Sequence, residues 1–153
     1  MAILETRALE KHFGRIPAVN GIDLTSEDGE LLAILGPSGS GKSTLMRMVA
    51  GLEAPSSGDI LVDNESIVGV PPKRRNVAMV FQNFALYPHM SVRENIRFPL
   101  VARKVPEAEQ QQKIDWVTGI LEIENLLERR PTRLSGGQMQ RVALARALVR
   151  DPE

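Results

Sequence analysis

Apolar and polar positions alternate over the first part of the chain, in AILETRAL at 2–9 and again at Val19, Ile22 and Leu24, which predicts short strands with one buried face. The run LLAIL at 31–35 is apolar without alternation, as expected of a strand buried on both faces of a parallel sheet. After a glycine-rich turn the period lengthens. From Lys42, residues Leu45, Met46, Val49 and Ala50 share a helical face, and Gly51 is placed to end the helix. GDILVDNESIVG at 58–69 predicts a hairpin around Asp63 and Asn64. Pro71 and Pro72 then break the chain, and VAMVF at 77–81 predicts another buried strand.

Helical patterning dominates the rest. Ser91 with Glu94 three residues later is a capping box, and Pro106 is suited to the first position of a helix running through Ile114, Val117 and Leu121. LSGGQMQ at 134–140 leads into the apolar-periodic run VALARALV at 142–149, with Ser135 and Gln138 forming a second capping box. The fold class implied is α/β: a strand-rich core over 1–90, a helical portion over 91–150 and a short end at 151–153.

Composition narrows the chemistry. At 153 residues and 42% hydrophobic composition the chain is long enough for a packed core. Nineteen Lys and Arg balance 19 Asp and Glu, so no global field draws it to nucleic acid or anionic lipid, and any anion site must be local. The basic groups Lys73, Arg74, Arg75 and Arg129, Arg130, Arg133 are expected to be solvated. Absence of cysteine excludes disulfides and thiolate nucleophiles, and nothing beside His89 completes a metal set. The N-terminal stretch carries Glu5, Arg7, Glu10 and Lys11 where a signal peptide would be apolar. A cytoplasmic chain is expected, unless partners hold it at a membrane.

Two glycine clusters carry the candidate chemistry. GPSGSGKST at 36–44 (Gly36, Pro37, Ser38, Gly39, Ser40, Gly41, Lys42, Ser43, Thr44) fits G-x-x-x-x-G-K-[ST] between a predicted strand and a predicted helix. Small residues let successive backbone N–H groups curl around phosphate oxygens while the helix N-terminus adds positive potential. Lys42 is expected to reach the β- and γ-phosphates and the Ser43 hydroxyl to sit on Mg²⁺. The second cluster, Ser135, Gly136, Gly137 and Gln138, puts two glycines in the first turn of a helix, where each weakens it by about 0.5–1 kcal/mol relative to alanine. A capping box explains Ser135 and Gln138 but not the bare glycines, which offer a second set of open N–H donors.

Together GPSGSGKST and LSGGQ resemble the Walker A loop and signature motif of the ATP-binding subunits of ABC transporters, of the sugar, polyamine and iron importer type. That resemblance implies a P-loop NTPase fold of the ABC type and ATP with Mg²⁺ as cofactors. It also implies a head-to-tail pair of subunits, in which the signature of one closes over the γ-phosphate held by the other. By the same resemblance Gln82 is a catalytic glutamine contacting Mg²⁺ and the attacking water, alongside Lys42. Phe13 in HFG is the position of an adenine-stacking aromatic, with core packing as the rival reading. NFALYPHMSVREN at 83–95 is similar to the loop such importers present to transmembrane permease subunits. Phe84, Leu86, Tyr87 and Met90 would form that contact or, alternatively, pack in the core. Nucleic acid is not expected as a partner.

The family pattern continues past RDPE with an apolar strand ending in Asp-Glu, a D-loop and a switch histidine. Asp59, Asp63 and Glu65, in the predicted hairpin, do not replace those carboxylates. The expectation is therefore a truncated form, lacking C-terminal core strands, with LLAIL unpaired on one side. General-base groups contribute about 10² to 10⁴-fold, so this form is expected to hydrolyse ATP poorly. A non-hydrolytic ATP-binding fragment and a soluble ABC-type ATPase acting on DNA or ribosomes are the alternatives. The transported solute cannot be read from the chain.

Overall fold

The computed structural model describes residues 3–151; Ala2 of the first predicted strand and Pro152 and Glu153 of the predicted end lie outside that range. The chain divides into two compact units at Val77/Ala78.

The first unit is built on a four-stranded antiparallel sheet in the order β2-β1-β3-β4, from β1 (Leu4–Phe13), β2 (Ile16–Thr25), β3 (Ser57–Val62) and β4 (Glu65–Ser66). β1 and β2 form a hairpin in which Thr6 faces Leu24 and Phe13 faces Ile16. The β3–β4 turn falls at Asp63 and Asn64, as their sequence predicts, and both residues adopt the left-handed backbone that Asp and Asn tolerate. Helix α1 (Lys42–Val49) buries Leu45 and Met48 in a core shared with Leu9, Val19 and Ile60. Full burial of an aliphatic side chain contributes about 1.5–3 kcal/mol, so these contacts fix α1 on the strands.

Residues 31–35 and 77–81, predicted as buried strands, form none. Leu31 and Leu35 are 96% and 90% exposed. A strand of a parallel sheet exists only through ladders to neighbours on either side, and no described strand pairs with either run. The sheet is accordingly antiparallel throughout the described residues.

Arg75 also departs from expectation. It is 5% exposed rather than solvated. Its guanidinium donates to Met48 O (2.7 Å), Val49 O (2.9 Å) and Val70 O (2.8 Å), closing the C-terminal end of α1, where carbonyls have no intrahelical partner. Burial lowers its pKa from the ordinary arginine value. Gly51, in the left-handed region at φ 74°, must stay bare for this, because a Cβ there would lie 2.6 Å from Arg75 Nε. The other basic residues of the two clusters are exposed.

The second unit is helical: α2 (Val92–Ala102), α3 (Glu107–Leu121) and α4 (Gly136–Leu148). Their apolar faces meet in a core of Val92, Ile96, Leu100, Ile114, Val117 and Val142. Pro106 stands one position before its predicted place, as the residue preceding α3. Ser91 and Glu94 form the predicted capping box, each accepting the other's backbone N–H at 3.2 and 2.6 Å. The Ser91 N–H holds the Glu94 carboxyl below its ordinary pKa. No described helix is long and apolar enough to cross a membrane.

Candidate functional site

The P-loop follows the 31–35 segment, exposed except at Ile34, which packs on the core of the first unit, and runs into α1. Gly39 and Gly41 adopt φ 82° and 90°, a conformation that L side chains rarely adopt. Gly41 is the residue before α1, and no side chain caps the helix. A Cβ on Gly41 would lie 2.2 Å from Ala18 O, and one on Gly36 would lie 2.7 Å from Ser40 Oγ. The backbone of β2 thus requires glycine at Gly41, whereas a Cβ at Gly36 would displace the Ser40 hydroxyl. Ser38, Gly39 and Ser40 are exposed, as is Ser43 in the first turn of α1, with Thr44 half-buried behind it. Lys42 folds back over the loop and donates to Pro37 O (2.6 Å), Gly36 O (2.9 Å) and Ser40 Oγ (3.1 Å). The result is an exposed loop of small residues with an uncapped helix start and an ammonium lying across it, a donor set suited to phosphate.

Phe13, also in the first unit, ends β1 at 49% exposure. Its ring is therefore not core. Lys11 Nζ lies 5.0 Å from the ring centroid while held by Glu53 Oε1 at 2.6 Å, so a fixed cation covers part of the ring.

In the second unit Ser135 caps α4 as expected. Ser135 Oγ accepts Gln138 N–H at 3.3 Å, and Gln138 Oε1 accepts Ser135 N–H at 3.0 Å. Gly136 and Gly137 have ordinary helical backbone, and a Cβ on either would meet nothing within 4 Å. Nothing among the described residues demands glycine there. The helix start lines a cleft of about 240 Å³ with Glu122, Asn125 and Arg141.

Gln82 is exposed in a turn of the second unit. The loop after it is half-buried at Phe84, Leu86, Tyr87 and Met90, and exposed at His89. Leu86 packs on the helical core, which favours the packing reading for that residue. Tyr87 stacks obliquely on Phe98 with centroids 5.0 Å apart.

Two residues that hold this loop were not among the sequence candidates. Asn95 is fully buried. Its side chain accepts Tyr87 N–H at 2.8 Å and donates to Tyr87 O, Met90 O and Ser91 O. Its signal was a polar residue on the apolar face of α2, beside Val92 and Ile96. Arg146 donates to Phe84 O (3.0 Å) and Ala85 O (2.7 Å); its signal was a charge inside VALARALV. A cavity of about 680 Å³ in the first unit, beside β3 and β4, contains none of the predicted site residues.

Phe13 and the P-loop thus lie in the first unit; Gln82, the loop that follows it and the signature residues lie in the second. Over 154 residues the chain is 55% identical to the sn-glycerol-3-phosphate import ATP-binding protein UgpC of Bordetella avium, covering 100% of this chain and 43% of that protein. Over 152 residues it is 55% identical to UgpC 1 of Rhizobium etli, covering 99% and 44%. The chain therefore spans less than half the length of these curated relatives. Among solved structures it is similar to the dimeric bacterial ABC transporter cassette MJ0796, with TM-score 0.86, 30% identity and coverage of 97% of this chain and 70% of that one. It is also similar to a nucleotide-free ATP-binding cassette from an ABC transporter, with TM-score 0.84, 28% identity and coverage of 99% and 66%. Residues 19–153 match the ABC transporter family, and the chain belongs to that family.

Proposed function

We propose that the chain is the ATP-binding part of an ABC importer subunit, in which ATP drives solute uptake in the intact protein. The observation that carries this reading is the P-loop: an uncapped start of α1, a left-handed Gly41 that β2 will not let become alanine, and Lys42 lying across the loop. Backbone N–H groups from Gly39 to Thr44 grip the phosphates. Lys42 exchanges its loop carbonyls for phosphate oxygens, and the exposed face of Phe13 receives the adenine.

Ser43 is a proposed Mg²⁺ ligand, and the metal, when bound, would neutralise charge on the terminal phosphates; Gln82 keeps the Mg²⁺-contacting role that the family resemblance implies. Ser135, Gly136, Gly137 and Gln138 serve the nucleotide of a second subunit. This accounts for bare glycines that the chain's own packing does not need. The loop around Phe84 to Met90 meets transmembrane permease subunits, through which the protein sits on the inner face of the cell membrane. Import of sn-glycerol-3-phosphate is the solute assignment that the names of the similar proteins support.

The test is Lys42→Ala, followed by calorimetric titration with ATP and Mg²⁺. Hydrogen bonds to a charged group are worth about 1.5–3 kcal/mol, so affinity should fall about tenfold or more. Unchanged affinity would overturn the nucleotide assignment.

A further inference from the structure

Phe84 and Ala85 are consecutive non-glycine residues in the left-handed region, at φ 60° and 47°. Each is disfavoured for an L side chain, so the surroundings must hold the pair in place. Their two carbonyls point to one guanidinium: Arg146 Nη1 donates to Ala85 O and Nη2 to Phe84 O. The fork of arginine matches this pair of acceptors, and an ammonium would not.

The same guanidinium lies 5.5 Å from the Tyr87 ring centroid. It is half-buried, burial lowers its pKa, and no salt bridge to it is formed among the described residues. Its partners among the described residues are thus two carbonyls and a ring. Asn95 fixes the far end of the loop to α2. Arg146 fixes the near end to α4, the helix that begins at Gly136. At 1.5 Å per residue Arg146 stands about 15 Å along the axis from that start.

We propose that Arg146 is a positioning residue that pins the Phe84–Tyr87 loop to α4, so that a displacement at the Ser135–Gln138 start of the helix is carried to the loop. The functional meaning of that link rests on the importer reading. The link itself does not.

Tyr87 is the only tyrosine, so 3-fluorotyrosine labelling of the 153-residue chain gives one ¹⁹F resonance that reports on the loop. Arg146→Lys keeps the charge and loses the fork. The resonance should then move toward its position in the denatured chain and broaden, with far-UV helicity and the emission of the single tryptophan, Trp116, unchanged. Next, Ser135→Ala should shift the Tyr87 resonance in the parent chain but not in the Arg146→Lys chain. A purely structural arginine would not abolish that response. Equal shifts in both backgrounds, no shift in either, or a wild-type resonance in Arg146→Lys would each overturn the proposal.

Native-state hydrogen exchange of the unmodified chain keeps the proposal testable if the variant unfolds. Amide exchange at Ala85 should track that of mid-α4, and exchange about tenfold faster, the factor lost with one charged hydrogen bond, would overturn it. None of these measurements needs nucleotide or permease. Their failure therefore leaves the ATP reading standing, and a negative Lys42→Ala result leaves the pin standing.

Discussion

The two glycine-rich helix starts look alike in sequence and are built on opposite logic. At α1 the glycine is imposed from within: Gly41 takes a left-handed backbone against Ala18 O, and no side chain caps the helix. At α4 a complete capping box already specifies the start, while Gly136 and Gly137 face open space with ordinary helical backbone. A glycine that its own fold requires reports on the fold. One that the described fold does not require leaves room for the second subunit proposed above.

The largest break in this contrast is expected at Gly41. Gly41→Ala combines a left-handed residue with a clash against the β2 backbone, and should destabilise the chain by about 2 kcal/mol or more. Urea unfolding would show this as a lower midpoint at unchanged slope. A wild-type midpoint would mean that the loop relaxes freely and the contrast is empty.

A smaller effect is expected at Ser135. Ser135→Ala removes one half of the α4 capping box and should lower stability by about 1 kcal/mol in the same assay. No change would mean that the box is not what starts the helix.

The smallest effect has the opposite sign. Gly137→Ala should stabilise the chain by about 0.5–1 kcal/mol, since alanine suits a helix better and has room there. It should also weaken ATP-dependent pairing of two chains, measured by sedimentation. A destabilised Gly137→Ala would show that the chain needs this glycine for itself and would erase the comparison.

What the sequence disclosed follows from how local each feature is. The capping boxes at Ser91 and Ser135, the Asp63–Asn64 turn and the P-loop spacing depend on residues within a few positions of one another, and all appear in the structure. LLAIL and VAMVF were misread because an apolar run states only that both faces could be buried. Whether a strand forms depends on distant partners that the run does not name. The roles of Arg75, Asn95 and Arg146 were hidden for a related reason. Each satisfies backbone carbonyls that tertiary folding brings to it, from α1 in one case and from the loop at 84–91 in the others. Only a polar residue set in an apolar-periodic face hinted at the last two.

The lysine at the lip of the P-loop has a thermodynamic consequence. Its ammonium already has three oxygen partners in its own loop. On the proposed reading an arriving phosphate would therefore trade places with the carbonyls of Gly36 and Pro37. The heat released on titration is the difference between two sets of contacts, so calorimetry will understate how strongly lysine and phosphate attract.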